Sequence, residues 1–383
     1  MSGTIAARAA EYGRLAIDTE FVSERRYQAL LCLAQVAVPD PSAEGGVRTE
    51  VLDPLGSLDH APMAGVLADP AVEVVVHAGR QDVALLRRSW EAEVRNVFDT
   101  QVAAGFLGFG NQEGYESLVR KVLGVRLKGA EGFTRWDRRP LTEAQLGYAR
   151  DDARLLLALG GELERRLRER GRLEWAREEC RPLEEASDER DPDRLFERLP
   201  RVGRLDAQGR AVARELLEWR ESTAASMDRP AGFVLADHAL VELARRRPRD
   251  RAGLEHIRGL PEQTTRRRGD RLLEAVERGA RREPPPKPPE PAARDSAEAP
   301  LVSLAQALVR QRSRENGIAV ELVATQSELS ALVSAARRHG GDAGVRVEEG
   351  WRNELVGAEL RELLAGRRAL SVDGDGRLRV APV

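Results

Sequence analysis

Leu15-Ala-Ile-Asp-Thr-Glu-Phe21 is the stretch on which the fold reading turns. It is apolar apart from its acids and follows a glycine at 13, so it reads as a β-strand. Side chains alternate faces along a strand, so Asp18 and Glu20 point one way and Thr19 and Phe21 the other. A packed strand has no structural need for two carboxylates on one face. They repel each other unless a cation holds them, and the cation that suits several clustered oxygens is a divalent metal.

Two further places supply the same chemistry. Asp82 lies in Val74–Leu86, VVVHAGRQDVALL, just past a strand and at the start of a helix. Tyr148 and Asp152 lie in Leu146–Leu157, LGYARDDARLLL, four apart on a helical pattern and so on one face. Asp151 competes with Asp152, because i+3 and i+4 both fall near Tyr148, and spacing does not separate them. Three elements can thus converge at one sheet edge with four carboxylates, a set able to hold two Mg²⁺ or Mn²⁺ ions for phosphodiester hydrolysis. Tyr148, with an ordinary pKa of about 10, suits the orienting of a water better than general-base work. Asp53 in LDP and Asp99 in VFDT read as turn or cap residues. The five histidines are scattered without metal-ligand spacing, which argues against zinc. No P-loop, G-x-S-x-G or CxxC motif is present.

Around these motifs the first 180 or so residues alternate strand and helix signals, an α/β layout. RLAIDTEF, ALLCLAQVAV, TEVLDP, VEVVVHA and VFDT read as strands. HAPMAGVLAD, QDVALLRRSW, Tyr115–Leu123 and Glu143 to about Glu169 read as helices. The first three strands are joined only by loops, which favours antiparallel pairing before helical crossovers begin. Residues 182–192 read as a linker or connecting helix. Residues 208–283 are helical throughout, the size of a small bundle, with 17 arginines against 13 acidic residues. Residues 284–300 form a Pro-rich linker. Residues 301–383 read as helices followed by a hairpin turning near Asp373–Gly376.

The 383 residues are 42% hydrophobic and 32% charged, with a net charge of −2, so the chain is globular and no polycation. Only three of its 61 cationic residues are lysines, so arginine runs such as Arg245–Arg247 and Arg266–Arg268 say little on their own. Two cysteines, Cys32 and Cys180, exclude a disulfide scaffold and suit a reducing compartment. With no secretory h-region and no long apolar run, a cytoplasmic location and no membrane contact are expected.

The segments Leu15–Ala37, Val74–Leu86, Phe98–Val119 and Arg135–Leu156 resemble bacterial ribonuclease D, a family of DEDDy 3′→5′ exonucleases with a ribonuclease H-like fold. Its D-x-E motif matches Asp18 and Glu20, its second motif Asp82, and its Y-x-x-x-D motif Tyr148 and Asp152, which selects Asp152 over Asp151. The segments Leu216–Pro248 and Ala252–Val276 are similar to an HRDC domain, and Gly350–Leu370 suits a diverged HRDC-like end. The resemblance implies a mixed-sheet exonuclease domain over 1–183, a connecting segment over 184–207, an HRDC domain over 208–283, a linker over 284–300 and an HRDC-like domain over 301–383. It implies a metal-dependent exoribonuclease that trims single-stranded 3′ ends of structured RNAs such as tRNA precursors and releases nucleoside 5′-monophosphates; the sequence leaves the oligomeric state open, with a monomer favoured. A DNA exonuclease with the same residues and a non-catalytic nucleic-acid-binding or helicase-partner module are the alternatives. Phe21, Gln35, Lys128, Arg138 and Arg139 are candidate substrate-binding residues, through stacking, a polar contact in an apolar strand, and phosphate pairing respectively.

Overall fold

The computed structural model describes residues 2–127, 134–287, 297–338, 343–376 and 378–383. In chain order the chain forms α1 (Ser2–Tyr12), β1 (Arg14–Val22), β2 (Leu30–Pro39), β3 (Val47–Leu52), α2 (Ala61–Leu67), β4 (Glu73–Val76), α3 (Arg80–Trp90), β5 (Val97–Asp99), α4 (Thr100–Gly105), α5 (Tyr115–Leu123), α6 (Glu143–Glu169) and α7 (Leu173–Cys180). Next come α8 (Pro192–Glu197), α9 (Ala207–Ser226), α10 (Ala231–Val234), α11 (Asp237–Arg246), α12 (Arg251–Glu255) and α13 (Glu262–Arg281). The C-terminal part holds α14 (Ala299–Asn316), α15 (Val320–Val323), α16 (Gln326–Arg337), α17 (Gly350–Arg352), α18 (Ala358–Leu364), β6 (Arg368–Val372) and β7 (Leu378–Pro382). Two compact units result: Met1–Glu20, Cys32–Ser187 and Arg294–Val383 form the first, and Phe21–Leu31 and Asp188–Ala293 the second.

The first unit is built on a five-stranded sheet of order β3-β2-β1-β4-β5. β2 and β3 pair antiparallel, and β1–β4 and β4–β5 pair parallel. Loops therefore serve the early strands and helices α2 and α3 carry the later crossovers, as connection length dictates. All five strand segments and α2, α3, α5 and α6 fall where apolar periodicity places them. No stripe of large apolar residues announces α1, whose buried face is only Ile5, Ala6 and Ala9.

α6 is the long element that the sheet depends on. Thr142 and Gln145 close a reciprocal capping box at its start. Its buried stripe, Ala149, Asp152, Ala153, Leu156, Gly160, Leu163 and Leu167, keeps helical spacing. At Gly160 a Cβ would lie 2.6 Å from Val75 Cγ1, so helix and sheet meet this closely only because the residue is glycine.

Residues 297–383 share the core of this unit. Trp351 packs its ring edge on Phe106 at 4.9 Å and stacks on Trp175 at 5.5 Å between centroids. The Ala319 N–H donates to the Gly105 carbonyl at 2.9 Å. Arg352, 4% exposed, donates from Nε to the Leu322 carbonyl at 2.8 Å and pairs with Glu179. Leu308, Leu322, Val347 and Leu360 join the same apolar cluster as Phe98 and Leu159. The terminal hairpin is where the Asp-Gly-Asp-Gly sequence places it, β6 and β7 pairing antiparallel around a turn closed by Gly376 N–H to the Asp373 carbonyl.

The second unit is a helical bundle whose core is Leu216, Leu217, Leu240, Leu243, Leu272 and Val276, drawn from α9, α11 and α13. The segment between β1 and β2 belongs to it. There the Tyr27 N–H donates to Asp228 at 3.1 Å, the Tyr27 hydroxyl donates to Glu221 at 3.2 Å, and Arg190 pairs with Glu221 at 2.6 Å. Among the described residues no helix is long and apolar enough to cross a membrane.

The pair of buried Arg352 with Glu179 gives the first prediction. Glu179 is partly exposed and also pairs with Arg346 at 3.2 Å, so removing Arg352 chiefly forfeits its charged hydrogen bonds to Glu179 and to the Leu322 carbonyl, roughly 1.5–3 kcal/mol. Arg352→Ala is therefore expected to lower the urea midpoint of the unit, followed by tryptophan fluorescence. A midpoint equal to wild type would mean the pair contributes nothing to the docking of the C-terminal segment.

Candidate active site

The site forms where β1 and the starts of α3 and α6 come level. The parallel register Ala16↔Val75 brings the turn after β4, and the first turn of α3, beside Asp18–Glu20. Asp82 is in that first turn, 8% exposed. The approach to it is tight. Ala78 has φ of 51°, and a Cβ on Gly79 would lie 2.4 Å from Val76 Cγ2. Asp99 pins this turn by accepting from Ala78 N–H at 3.1 Å and Gly79 N–H at 2.8 Å. The same carboxylate caps α4, accepting from Gln101 N–H at 2.8 Å and Val102 N–H. Its cap role was legible in VFDT; its hold on the turn leading to Asp82 was not.

Asp18 and Glu20 share a face of β1, as alternation requires. Gln35 Nε2 donates to Asp18 Oδ2 at 2.7 Å, and Gln35 is itself fully buried. Gln35 thus acts on Asp18 and has no exposed surface with which to meet a substrate, which corrects the expectation that it is a substrate contact. Thr19, expected to serve only the opposite face, donates its hydroxyl to Asp82. Asp152, 4% exposed, leaves Oδ1 buried and without a hydrogen-bond partner. The Tyr148 hydroxyl lies against that carboxylate and favours its ionised form. The Tyr148 ring sits 6.4 Å from that of Trp136. Tyr115, on α5, donates its hydroxyl to the Asp152 main-chain carbonyl at 2.7 Å, and its ring lies 5.4 Å from His77.

The four carboxylates feel one another. Burial, then Asp82, Glu20 and Asp152, push Asp18 far above the carboxylate range. Burial, then Asp152 and Asp82, raise Glu20 to about 8. Asp82 rises to about 6 and Asp152 to about 6, each chiefly by burial. Burial and the same acids push the phenols of Tyr148 and Tyr115 upward. No cation figures among these influences on the four acids. Among the described residues no three acidic, histidine or cysteine side chains are already closed into a coordination cage. An orphaned buried carboxylate oxygen within a cluster of mutually repelling acids still fits a hard divalent cation, whose charge answers both faults.

A 3′–5′ exonuclease domain signature matches residues 3–168, and an HRDC domain signature matches residues 209–276. Ribonuclease D of Granulibacter bethesdensis is 35% identical over 94% of this chain and 89% of its own. The chain belongs to the ribonuclease D family. Ribonuclease D of Acidiphilium cryptum is likewise 35% identical over 94% of this chain and 89% of its own. The crystal structure of Escherichia coli RNase D, described as an exoribonuclease involved in structured RNA processing, superposes with a TM-score of 0.81 at 27% identity, covering 95% of this chain and 96% of that one. The enzyme class of the chain is accordingly that of a 3′→5′ exoribonuclease, on a ribonuclease H-like sheet followed by a helical HRDC region.

The expected auxiliary residues divide. Phe21 is half-buried on β1, directly after Glu20. Arg138 is exposed. Lys128 lies outside the described residues. Arg139 is corrected: it forks onto Asp53 with Nε–Oδ2 at 2.6 Å and also donates to the carbonyls of Cys32, at 2.8 Å, and Trp136, at 2.7 Å. Those bonds tie the segment before α6 to the end of β3, and they commit the guanidinium to protein partners rather than to a phosphate.

Two predictions arise from this geometry. The acids titrate higher folded than unfolded, so between about pH 4 and pH 8 the folded protein keeps protons that the unfolded chain has lost. Their contribution to stability is full below the unfolded values and falls as pH rises through about 6 and about 8. With EDTA present, the melting temperature is expected to fall across that window, and Asp18→Asn is expected to melt higher than wild type at pH 8; a lower melting temperature for the variant would contradict this account. Tyr115→Phe keeps the ring and removes the bond to the Asp152 carbonyl. A several-fold loss of kcat with KM little changed is expected in steady-state hydrolysis, and an unaltered kcat would show that the bond does not position Asp152.

Proposed function

We propose that the chain hydrolyses RNA stepwise from single-stranded 3′ ends, releasing nucleoside 5′-monophosphates, with Asp18, Glu20, Asp82 and Asp152 holding two divalent cations, Mg²⁺ or Mn²⁺. The observation that carries this reading is the convergence of four buried or half-buried carboxylates from three elements, one with an unpartnered oxygen. When bound, the ions would supply charge to offset the acids, lower the pKa of water and stabilise the oxygens of the displacement at phosphorus. The residues supply the rest. Gln35 holds one oxygen of Asp18, and the Thr19 hydroxyl holds one of Asp82. Tyr115 fixes the turn of α6 that bears Asp152. Tyr148, its phenol kept protonated, has a hydroxyl able to orient a water for attack.

On this reading 1–183 carries catalysis, 208–283 is the HRDC domain, and 301–383 is a diverged HRDC-like segment with the linker at 284–300. The precursors of tRNA are the substrates we infer, in keeping with the structured-RNA role of the E. coli relative.

The test is timed digestion of a 5′-labelled single-stranded RNA with Mg²⁺ or Mn²⁺, beside its DNA counterpart and a tRNA precursor with a 3′ extension. A ladder shortening from the 3′ end, faster on RNA, is expected for wild type. Asp152→Asn should lose at least a hundredfold in rate while retaining its fold by circular dichroism. Equal or faster loss of DNA would overturn the RNA assignment, and a fully active Asp152→Asn would overturn the site.

A further inference from the structure

We infer that Arg139 and Trp136 are positioning residues for hydrolysis: Arg139 bolts the segment before α6 to the sheet, so that the Trp136 ring holds the Tyr148 hydroxyl in place. The inference rests on the proposed role of Tyr148 in orienting the attacking water, and it names what fixes that phenol.

The observation is that Arg139 has no donor to spare. A guanidinium carries five N–H groups in a planar fork, and the structure gives each one an acceptor. Nε and Nη2 bind the two carboxylate oxygens of Asp53 at 2.6 and 2.5 Å. Nη2 also donates to the Cys32 carbonyl at 2.8 Å. Nη1 donates to the carbonyls of Trp136, at 2.7 Å, and Arg138, at 2.8 Å. Both charged side chains of the fork are partly exposed, so their attraction alone stabilises little. What the bonds do is define a position, because they join pieces of chain that are distant in sequence. Asp53 is itself held, accepting from the Leu55 N–H at 3.0 Å.

The piece so fixed carries Trp136. That residue is 3% exposed, and its ring centroid lies 6.4 Å from that of Tyr148 with the planes 32° apart, within the range of aromatic pairs. Tyr148 is only half-buried, on the second turn of α6. A half-buried ring on a helix changes rotamer unless a neighbour blocks it, and the Trp136 ring is such a neighbour. Cys32, which accepts from Arg139, lies on β2, and the same strand bears Gln35, whose amide holds Asp18 at 2.7 Å. One strand thus anchors both an acid of the site and, through Arg139 and Trp136, the phenol that would orient the water. Reaction geometry is sensitive to such an anchor, since a misplacement of about 1 Å lowers a rate by about a hundredfold.

Arg139→Lys keeps the charge and cannot form the fork. With the full-length chain, a 5′-labelled single-stranded RNA and Mg²⁺, kcat is expected to fall about tenfold while KM stays within about twofold of wild type. Asp53→Asn is the second variant. It leaves the approach to α6 intact, weakens only the fork, and should lower kcat about threefold at the same KM. In a Tyr148→Phe background, Arg139→Lys should reduce kcat by less than about twofold further, because the hydroxyl it positions is already gone. Fully multiplicative losses would mean a general loosening of α6, and a raised KM with kcat intact would make Arg139 a phosphate contact; either result overturns the inference.

A second readout needs no hydrolysis. The chain has four tyrosines, so 3-fluorotyrosine labelling gives four fluorine NMR lines, and that of Tyr148 is the one missing from Tyr148→Phe. Arg139→Lys is expected to shift the Tyr148 line and to leave those of Tyr12 and Tyr27 in place. An unmoved Tyr148 line would overturn the inference whatever the kinetics. Hydrolysis by Tyr148→Phe at the wild-type rate would instead overturn the water-orienting role proposed above, and the fluorine comparison would still decide whether Arg139 positions the ring.

Discussion

The constraint on which the rest depends is the crowding of negative charge at one edge of the sheet. Four acids that would each prefer water are held where burial and mutual repulsion oppose their ionisation, and the fold supplies what keeps them there. Gln35 commits a fully buried amide to Asp18, Thr19 a hydroxyl to Asp82, and Tyr115 a hydroxyl to the main chain at Asp152. Asp99 holds the turn ahead of Asp82 and the start of α4 with one carboxylate. Such a cluster makes sense as a site whose charge is meant to be met by cations, and it is unfavourable as a purely structural element.

Rigidity around that edge comes from further along the chain. α6 carries two of the site residues on its first three turns and is fixed by its capping box, by Gly160 against Val75 and by the Arg139–Asp53 fork that ties its approach to β3. α4 and α7 are in turn covered by the C-terminal segment through Trp351, Phe106, Trp175 and the pair of buried Arg352 with Glu179. The Pro-rich stretch before residue 297 suggests a loosely attached appendage, yet the segment beyond it completes the core of the catalytic unit. A linker's composition reports the freedom of the linker itself. It carries no information on how well the next segment fits a surface left uncovered elsewhere.

The arginines illustrate the same separation. In a chain whose cations are almost all arginine, composition cannot say which of them are available, because availability is decided by whether a carboxylate from another helix reaches the guanidinium. Glu242 reaches forward one turn to Arg245 and Arg246, a pairing that i,i+3 and i,i+4 spacing makes visible. Arg139 meets Asp53 across 86 residues of sequence, a partner that no local spacing shows.

By itself the sequence determined the α/β class, the strand and helix segments of the exonuclease sheet, the hairpin at Asp373–Gly376 and the candidates Asp18, Glu20, Asp82 and Tyr148, while the choice of Asp152 over Asp151 rests on the family resemblance. All but that choice are local properties: period-2 and period-3.6 patterns, turn chemistry, and acids placed where an apolar strand or helix has no use for them. Only the tertiary structure decided that Thr19, Asp99 and Tyr115 support the site, that Gln35 and Arg139 are committed to protein partners, and that residues 297–383 belong to the catalytic unit. Each of these depends on groups distant in sequence meeting at hydrogen-bond or van der Waals range. Such meetings leave no periodic trace, because one hydroxyl, one amide or one guanidinium looks the same in sequence whether it faces water or a partner.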